Sequence, residues 1–106
     1  MSSPTQRTLK EMRKRGYELV QVVEHWNPFA KRRIDLWGIA DIVCIGGPND
    51  EIVAVQTTSD DNVSKRITKI NDSNAIDVLR KVGIRVLVHG WRKVKGRYVL
   101  REVDLS

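Results

Sequence analysis

Gly38-Ile39-Ala40-Asp41-Ile42-Val43-Cys44-Ile45-Gly46-Gly47-Pro48-Asn49-Asp50-Glu51-Ile52-Val53-Ala54-Val55-Gln56-Thr57-Thr58 is the stretch on which the fold turns. Two apolar, β-branched segments flank Gly46-Gly47-Pro48-Asn49-Asp50, a run of turn formers, so the stretch reads as an antiparallel hairpin closed by a loop of about five residues. Gly38 marks a bend, a bulge or a close backbone approach within the longer run Arg33–Ile45. One acid interrupts the apolar pattern. A carboxylate buried without a partner is costly, so Asp41 must pair with a base or bind something. Side chains two apart on a strand share a face, which sends Gln56 and Thr58 out together from the strand alongside Asp41.

Upstream, residues 6–15 carry Leu9 and Met12 among good helix formers and basic side chains, with Gly16 as the left-handed stop. Tyr17–Trp26 is rich in β-branched and aromatic residues and reads as one strand, ended by Asn27-Pro28-Phe29. Downstream, Asp60-Asp61-Asn62 are N-cap candidates for a helix whose Val63, Ile67 and Ile70 form one apolar stripe, leaving Lys65, Arg66 and Lys69 toward solvent. Asn71-Asp72-Ser73-Asn74 predict a break, and a second helical piece runs from Ala75 to Val82 before Gly83. Ile84–Trp91, a basic turn Arg92–Arg97 and Tyr98–Leu105 predict a closing hairpin. The order α, β, β, β, α, β, β implies an α/β (α+β) fold with a mixed sheet flanked by helices, and argues against a doubly wound nucleotide-binding fold.

With 106 residues the chain is expected to be a single domain spanning 1–106 around one core. Its 19 lysines and arginines outnumber 13 acids, for a net charge of +6, which favours polyanionic partners and puts nucleic acid first. No apolar run approaches the length of a membrane span, and the N-terminus lacks the apolar core of a signal peptide, so a cytoplasmic protein without a membrane partner is expected. Cys44, the one cysteine, sits between Val43 and Ile45 and reads as a buried thiol. His25 and His89 lack metal-ligand spacing and read as ordinary strand residues. Trp26, Trp37 and Trp91 read as core or sheet-face residues before base-stacking ones.

Asp41, Gln56 and Thr58 together offer one carboxylate and two neutral oxygens, a set suited to a hard cation such as Mg²⁺ or Mn²⁺. Asp35 and Glu24, on the neighbouring strands, are the acids available to join them. Gly38-Ile39-Ala40-Asp41, a turn, and Val53-Ala54-Val55-Gln56-Thr57-Thr58 resemble the D…(E/Q)xK hairpin of the PD-(D/E)XK nucleases, most closely the Holliday-junction-resolvase or VRR-NUC branch, often found in phages and mobile elements. The resemblance covers nearly the whole chain and implies a restriction-endonuclease-like αβββαβ core. It implies Asp41 as the metal ligand, Gln56 in place of the second acid and Thr58 where the family has lysine. Asp35 and Glu24 would then make up missing negative charge, with Asp35 a further ligand, and Lys65 or Arg66 the missing cation. Resolvase-like members also carry a glutamate in the first helix, where this chain offers Gln6 and, further on, Glu11.

Basic residues cluster at Arg7–Arg15, at Lys31, Arg32 and Arg33, at Lys65, Arg66 and Lys69, and at Arg92, Lys93, Lys95 and Arg97. Lining a groove beside the hairpin, they would make phosphate contacts whose strength falls as salt rises. The resulting expectation is a magnesium-dependent DNA endonuclease acting on branched or structured DNA, as a homodimer where both strands are cut. Two alternatives are a nuclease-like module that binds DNA without cutting it, and a small basic protein-interaction domain.

Overall fold

The computed structural model describes residues 3–106; Met1 and Ser2 lie outside it. The first helix, α1 (Pro4–Lys14), starts at a capping box in which the Ser3 hydroxyl accepts from the Gln6 amide and the Gln6 side chain accepts from the Ser3 amide. Pro4 occupies the first turn, where its missing N–H costs nothing, and Arg13 and Lys14 sit at the negative end of the helix dipole.

Strands β1 (Tyr17–Val22), β4 (Ile42–Gly46), β5 (Glu51–Ser59), β6 (Arg85–Val94) and β7 (Arg97–Asp104) form one sheet in the order β1-β4-β5-β6-β7, and β2 (His25–Asn27) pairs with β3 (Arg32–Ile34) apart from it. The β4–β5 hairpin is antiparallel, as its turn residues predict, whereas β5 and β6 run parallel. A parallel pair needs a crossover, here supplied by α2 (Val63–Asn71) and α3 (Asn74–Lys81). The fold is therefore α+β, with a mixed five-stranded sheet flanked by helices.

Period-2 alternation splits the core between the two faces of the sheet. Ile42, Cys44, Val53, Val55 and Leu87 pack with Met12 and Tyr17 on one side, while Val86 and Val88 join Ile39, Val63, Ile70, Ile76 and Leu79 on the other. Cys44 is fully buried, and burial pushes its thiol up to about 11, leaving it inert.

A polar chain also crosses the α1 side. The Trp91 indole N–H donates to Thr8 Oγ1 at 2.9 Å, Thr8 Oγ1 lies 3.1 Å from His89 Nδ1, and His89 Nε2 lies 2.8 Å from Glu102. The Glu102 carboxylate can only accept, so the proton of the neutral imidazole sits on Nε2 facing it, and Nδ1 accepts from the Thr8 hydroxyl, whose oxygen also accepts from the indole. Burial lowers the His89 pKa against the pull of Glu102. Arg15 closes the chain, bonding Glu102 at 2.6 Å and Glu11 at 2.8 Å. His89 is thus a satisfied core residue that ties α1 to β6 and β7.

Four sequence expectations need correction. Tyr17–Trp26 is two strands, β1 ending at Val22 and β2 beginning at His25. Arg33–Ile45 is also two, β3 and β4, separated by a tight reversal at Trp37-Gly38. Arg92–Val94 and Arg97 belong to strands, with only Lys95-Gly96 left as the turn. Trp37, half exposed on that reversal, is neither a core nor a sheet-face residue, whereas Trp26 lies exposed on β2 and Trp91 partly buried on β6.

Gly90 shows how closely the crossover approaches the sheet. A Cβ there would collide with Val63 Cγ2 and come within 3.2 Å of Asp60 Cα. Gly90→Ala is expected to destabilise by about 1–3 kcal/mol, the usual range for forcing a methyl into a packed interior. A lower urea midpoint at unchanged m-value would register it.

Candidate functional site

Two strand registers and one tight reversal bring three carboxylates together. Val22 stands opposite Ile42 in the β1–β4 pair, which places Val23 and Glu24 beside Asp41, and the Asp41 carbonyl accepts from both amides, at 2.8 and 3.4 Å. His25 stands opposite Ile34 in the β2–β3 pair, so Glu24 and Asp35 face each other at its base. Leu36 bridges Ala40 around Trp37-Gly38, with φ of 56° and 71°, and this reversal returns the chain so that Asp35 and Asp41 meet. One carboxylate oxygen from each of Glu24, Asp35 and Asp41 lies within 4.8 Å of the others.

Asp41 is 4% exposed. Its Oδ2 accepts from Gln56 Nε2 at 2.7 Å, from the Thr57 amide at 2.8 Å and from Thr57 Oγ1 at 3.1 Å. Thr57 Oγ1 has given its proton to Asp41, so the 3.0 Å contact with Thr5 Oγ1 is donated by Thr5, which carries the network to the start of α1. Burial raises the Asp41 pKa from its ordinary 3.8 to about 7; Asp35 and Glu24 push the same way, and the Thr57 amide opposes them. The other two acids have cationic neighbours: Lys69 Nζ is 3.1 Å from Asp35, and Arg33 is 3.6 Å from Glu24.

These groups line an open cleft of about 530 Å³ bounded by Pro4, Thr5, Gln56, Thr57, Thr58 and Ser59, with Arg33, Arg66 and Lys69 supplying positive charge. Gln56 is 2% exposed, and its Oε1 has no hydrogen-bond partner among the described residues. A buried carbonyl-type oxygen left unpaired beside three carboxylates is a donor set that fits a hard divalent cation, which takes oxygen ligands.

Asp41, Gln56, Thr58, Asp35 and Glu24 therefore share one cleft, although Glu24 and Asp35 lie just beyond strand ends instead of on strands. Thr58 makes no hydrogen bond to Asp41 among the described residues. Thr57, which the sequence reading passed over, makes two. Side-chain alternation pointed to residues 56 and 58; the decisive group is the in-plane amide between them, which alternation does not track. Arg66 lines the cleft, but Lys65 lies in the adjoining groove with Asn62, and Lys69 is the cation bonded to the cluster. Lys31 and Arg32 belong to the β2–β3 arm, while Arg92 and Lys93 sit on the β6–β7 ribbon and do not line the cleft. Gln6 is used in the α1 cap and Glu11 in the Arg15 pair, so neither corresponds to a first-helix acid in the site.

No protein-family model matches this chain, and neither the curated proteins nor the solved structures provide a match.

Because Asp41 holds its proton more tightly in the folded chain than its ordinary 3.8, the native state binds the extra proton between about pH 4 and 7, and stability falls as pH rises through that window. In metal-free buffer, the Tm difference between the wild type and Asp41→Asn is expected to shift with pH over this range. Adding Mn²⁺ at pH 7 should raise the wild-type Tm and leave Asp41→Asn unmoved. Thermal melts with and without metal check both points.

Proposed function

We propose that this protein is a magnesium- or manganese-dependent endonuclease of the PD-(D/E)XK type, hydrolysing phosphodiester bonds in DNA. The observation carrying the proposal is the convergence of Glu24, Asp35 and Asp41 in a cleft edged by Arg33, Arg66 and Lys69 and lined also by Gln56, whose Oε1 is unpaired among the described residues. Asp41, Asp35, Glu24 and Gln56 are the residues that would hold the ion. When bound, the ion would lower the pKa of a water and neutralise charge on a phosphoryl oxygen.

The chain's own residues do the rest. Gln56 brings a neutral oxygen where the nuclease pattern has an acid, and Glu24 and Asp35 restore the missing negative charge. Lys69, held at Asp35, is the cation available where Thr58 stands in place of lysine. Together with Arg33 and Arg66 it would orient a phosphate in the cleft and offset charge developing on its oxygens. Thr57 and Thr5 fix the Asp41 carboxylate so that it need not reorganise. Cuts on both strands of a duplex would take two copies of the chain.

Incubation with duplex, single-stranded and four-way-junction DNA in Mg²⁺ or Mn²⁺ tests the reading. Asp41→Ala is expected to lower the rate by more than about 100-fold, beyond the loss typical of groups that merely support a metal site. Lys69→Ala should slow cleavage while metal uptake, followed by calorimetry, is retained. Equal cleavage by Asp41→Ala would overturn the proposal.

A second reading has its own support, because three donors already engage Asp41 Oδ2 and two of the pattern's charges are replaced by Gln56 and Thr58. On that reading the domain binds DNA without cutting. Salt-sensitive DNA binding with no Mn²⁺ uptake would select it.

A further inference from the structure

Glu24 and Asp35 also mark the base of a projecting arm. Between them the chain runs out along β2 and back along β3, a two-stranded sheet separate from the main one. Such a hairpin is marginal by itself, so this one depends on its base, which is the carboxylate cluster. At its tip the Asn27 side chain accepts from the amides of Phe29 and Ala30, at 2.9 and 3.0 Å, and Lys31 completes the reversal with φ of 52°. The loop so ordered presents Phe29 at 97% exposure, and Trp26 on the same arm is 58% exposed.

Charge selects the partner for this tip. From His25 to Ile34 the chain holds Lys31, Arg32 and Arg33 and no aspartate or glutamate. A single exposed apolar side chain means little, but a fully exposed ring on a purely cationic arm matches a polyanion that offers aromatic faces. Position matters as well, since Arg33 contributes both to the arm and to the cleft. A nucleic acid with its phosphate in the cleft would bring its bases against the arm.

We propose that the β2–β3 arm is a wedge for unstacked DNA, in which Phe29 stacks at a branch point, mismatch or frayed end while Lys31 and Arg32 hold the flanking phosphates. The proposal rests on the DNA-binding reading above and narrows its substrate: regular duplex offers Phe29 no open base step, whereas distorted DNA does, and inserting a ring there costs less where stacking is already lost.

Binding measured in Ca²⁺, where cleavage is not required, tests the proposal. The probes are a four-way junction carrying 2-aminopurine at the branch point and a perfect duplex of equal length. Wild-type protein is expected to raise the 2-aminopurine fluorescence and to prefer the junction. Phe29→Ala should abolish the fluorescence rise and weaken junction binding by about 5- to 150-fold, the span of one base–aromatic stack. Its duplex affinity should stay within about twofold, since phosphate contacts set that. Phe29→Trp should restore the preference. Phe29 is fully exposed, and a melt of Phe29→Ala matching the wild type confirms that folding is intact.

If Phe29→Ala binds both probes like the wild type, the arm is not a wedge and the DNA-binding reading survives. If the wild type binds neither probe at low salt, both fall. Phe29-dependent binding to phosphatidylserine vesicles, with no Phe29 effect on DNA, would reassign the arm to an anionic membrane surface and overturn the proposal.

Discussion

Strand β5 runs on to Ser59 after its partner β4 has begun only at Ile42, so the Thr57 amide points toward a place where no strand carbonyl stands. A buried amide without an acceptor costs on the order of 1–3 kcal/mol, and the Asp41 carboxylate supplies the acceptor at 2.8 Å. The same residue donates its own amide to the Val55 carbonyl and accepts from Val23 through its carbonyl. Asp41 thus holds the ends of β1, β4 and β5 together, and the approach of Glu24 depends on that anchor. The cost is a carboxylate with a pKa near 7 and like charges beside it, relieved by a proton or by a cation.

Elsewhere the fold is held in more ordinary ways. Apolar layers on both faces of the sheet bury β5 and β6, and the Trp91–Thr8–His89–Glu102–Arg15 chain clamps α1 across the sheet. Rigidity matters for the site because Thr5, at the start of α1, forms its third contact layer behind Thr57. The helix capped by Ser3 and Gln6 is thereby joined both to the buried histidine chain and to the carboxylate cluster.

Much of this was legible in the residues. Gly16 stopped α1, the Gly46–Asp50 turn set the β4–β5 hairpin, and the apolar stripe through Val63, Ile67 and Ile70 marked α2, because each signal is local and strong. The arm was not legible. Its outer strands are three residues long, its turn relies on Lys31 in a left-handed conformation, and the reversal at Trp37-Gly38 lacks the Asn-Gly or Asp-Gly pair that normally announces one. Both therefore merged into longer β runs. The acids of the cluster were recognisable by type, but their meeting depends on two registers and the Trp37-Gly38 reversal, and a register is a property of pairs of strands. Thr57 was missed for the same reason: its contribution comes from a backbone group left over by a neighbour's end.

The arm's geometry bears on how this kind of domain can diversify. Glu24 and Asp35 face each other in register across its base, and the core packs without its tip, so the arm can lengthen or shorten by matched residues on its two strands while both acids stay in place. A single unmatched insertion would instead turn every later side chain to the opposite face and move Asp35 out of register with Glu24. The cleft and the arm's reach are consequently free to vary separately, one held by the geometry of the carboxylate cluster and the other under little constraint beyond parity.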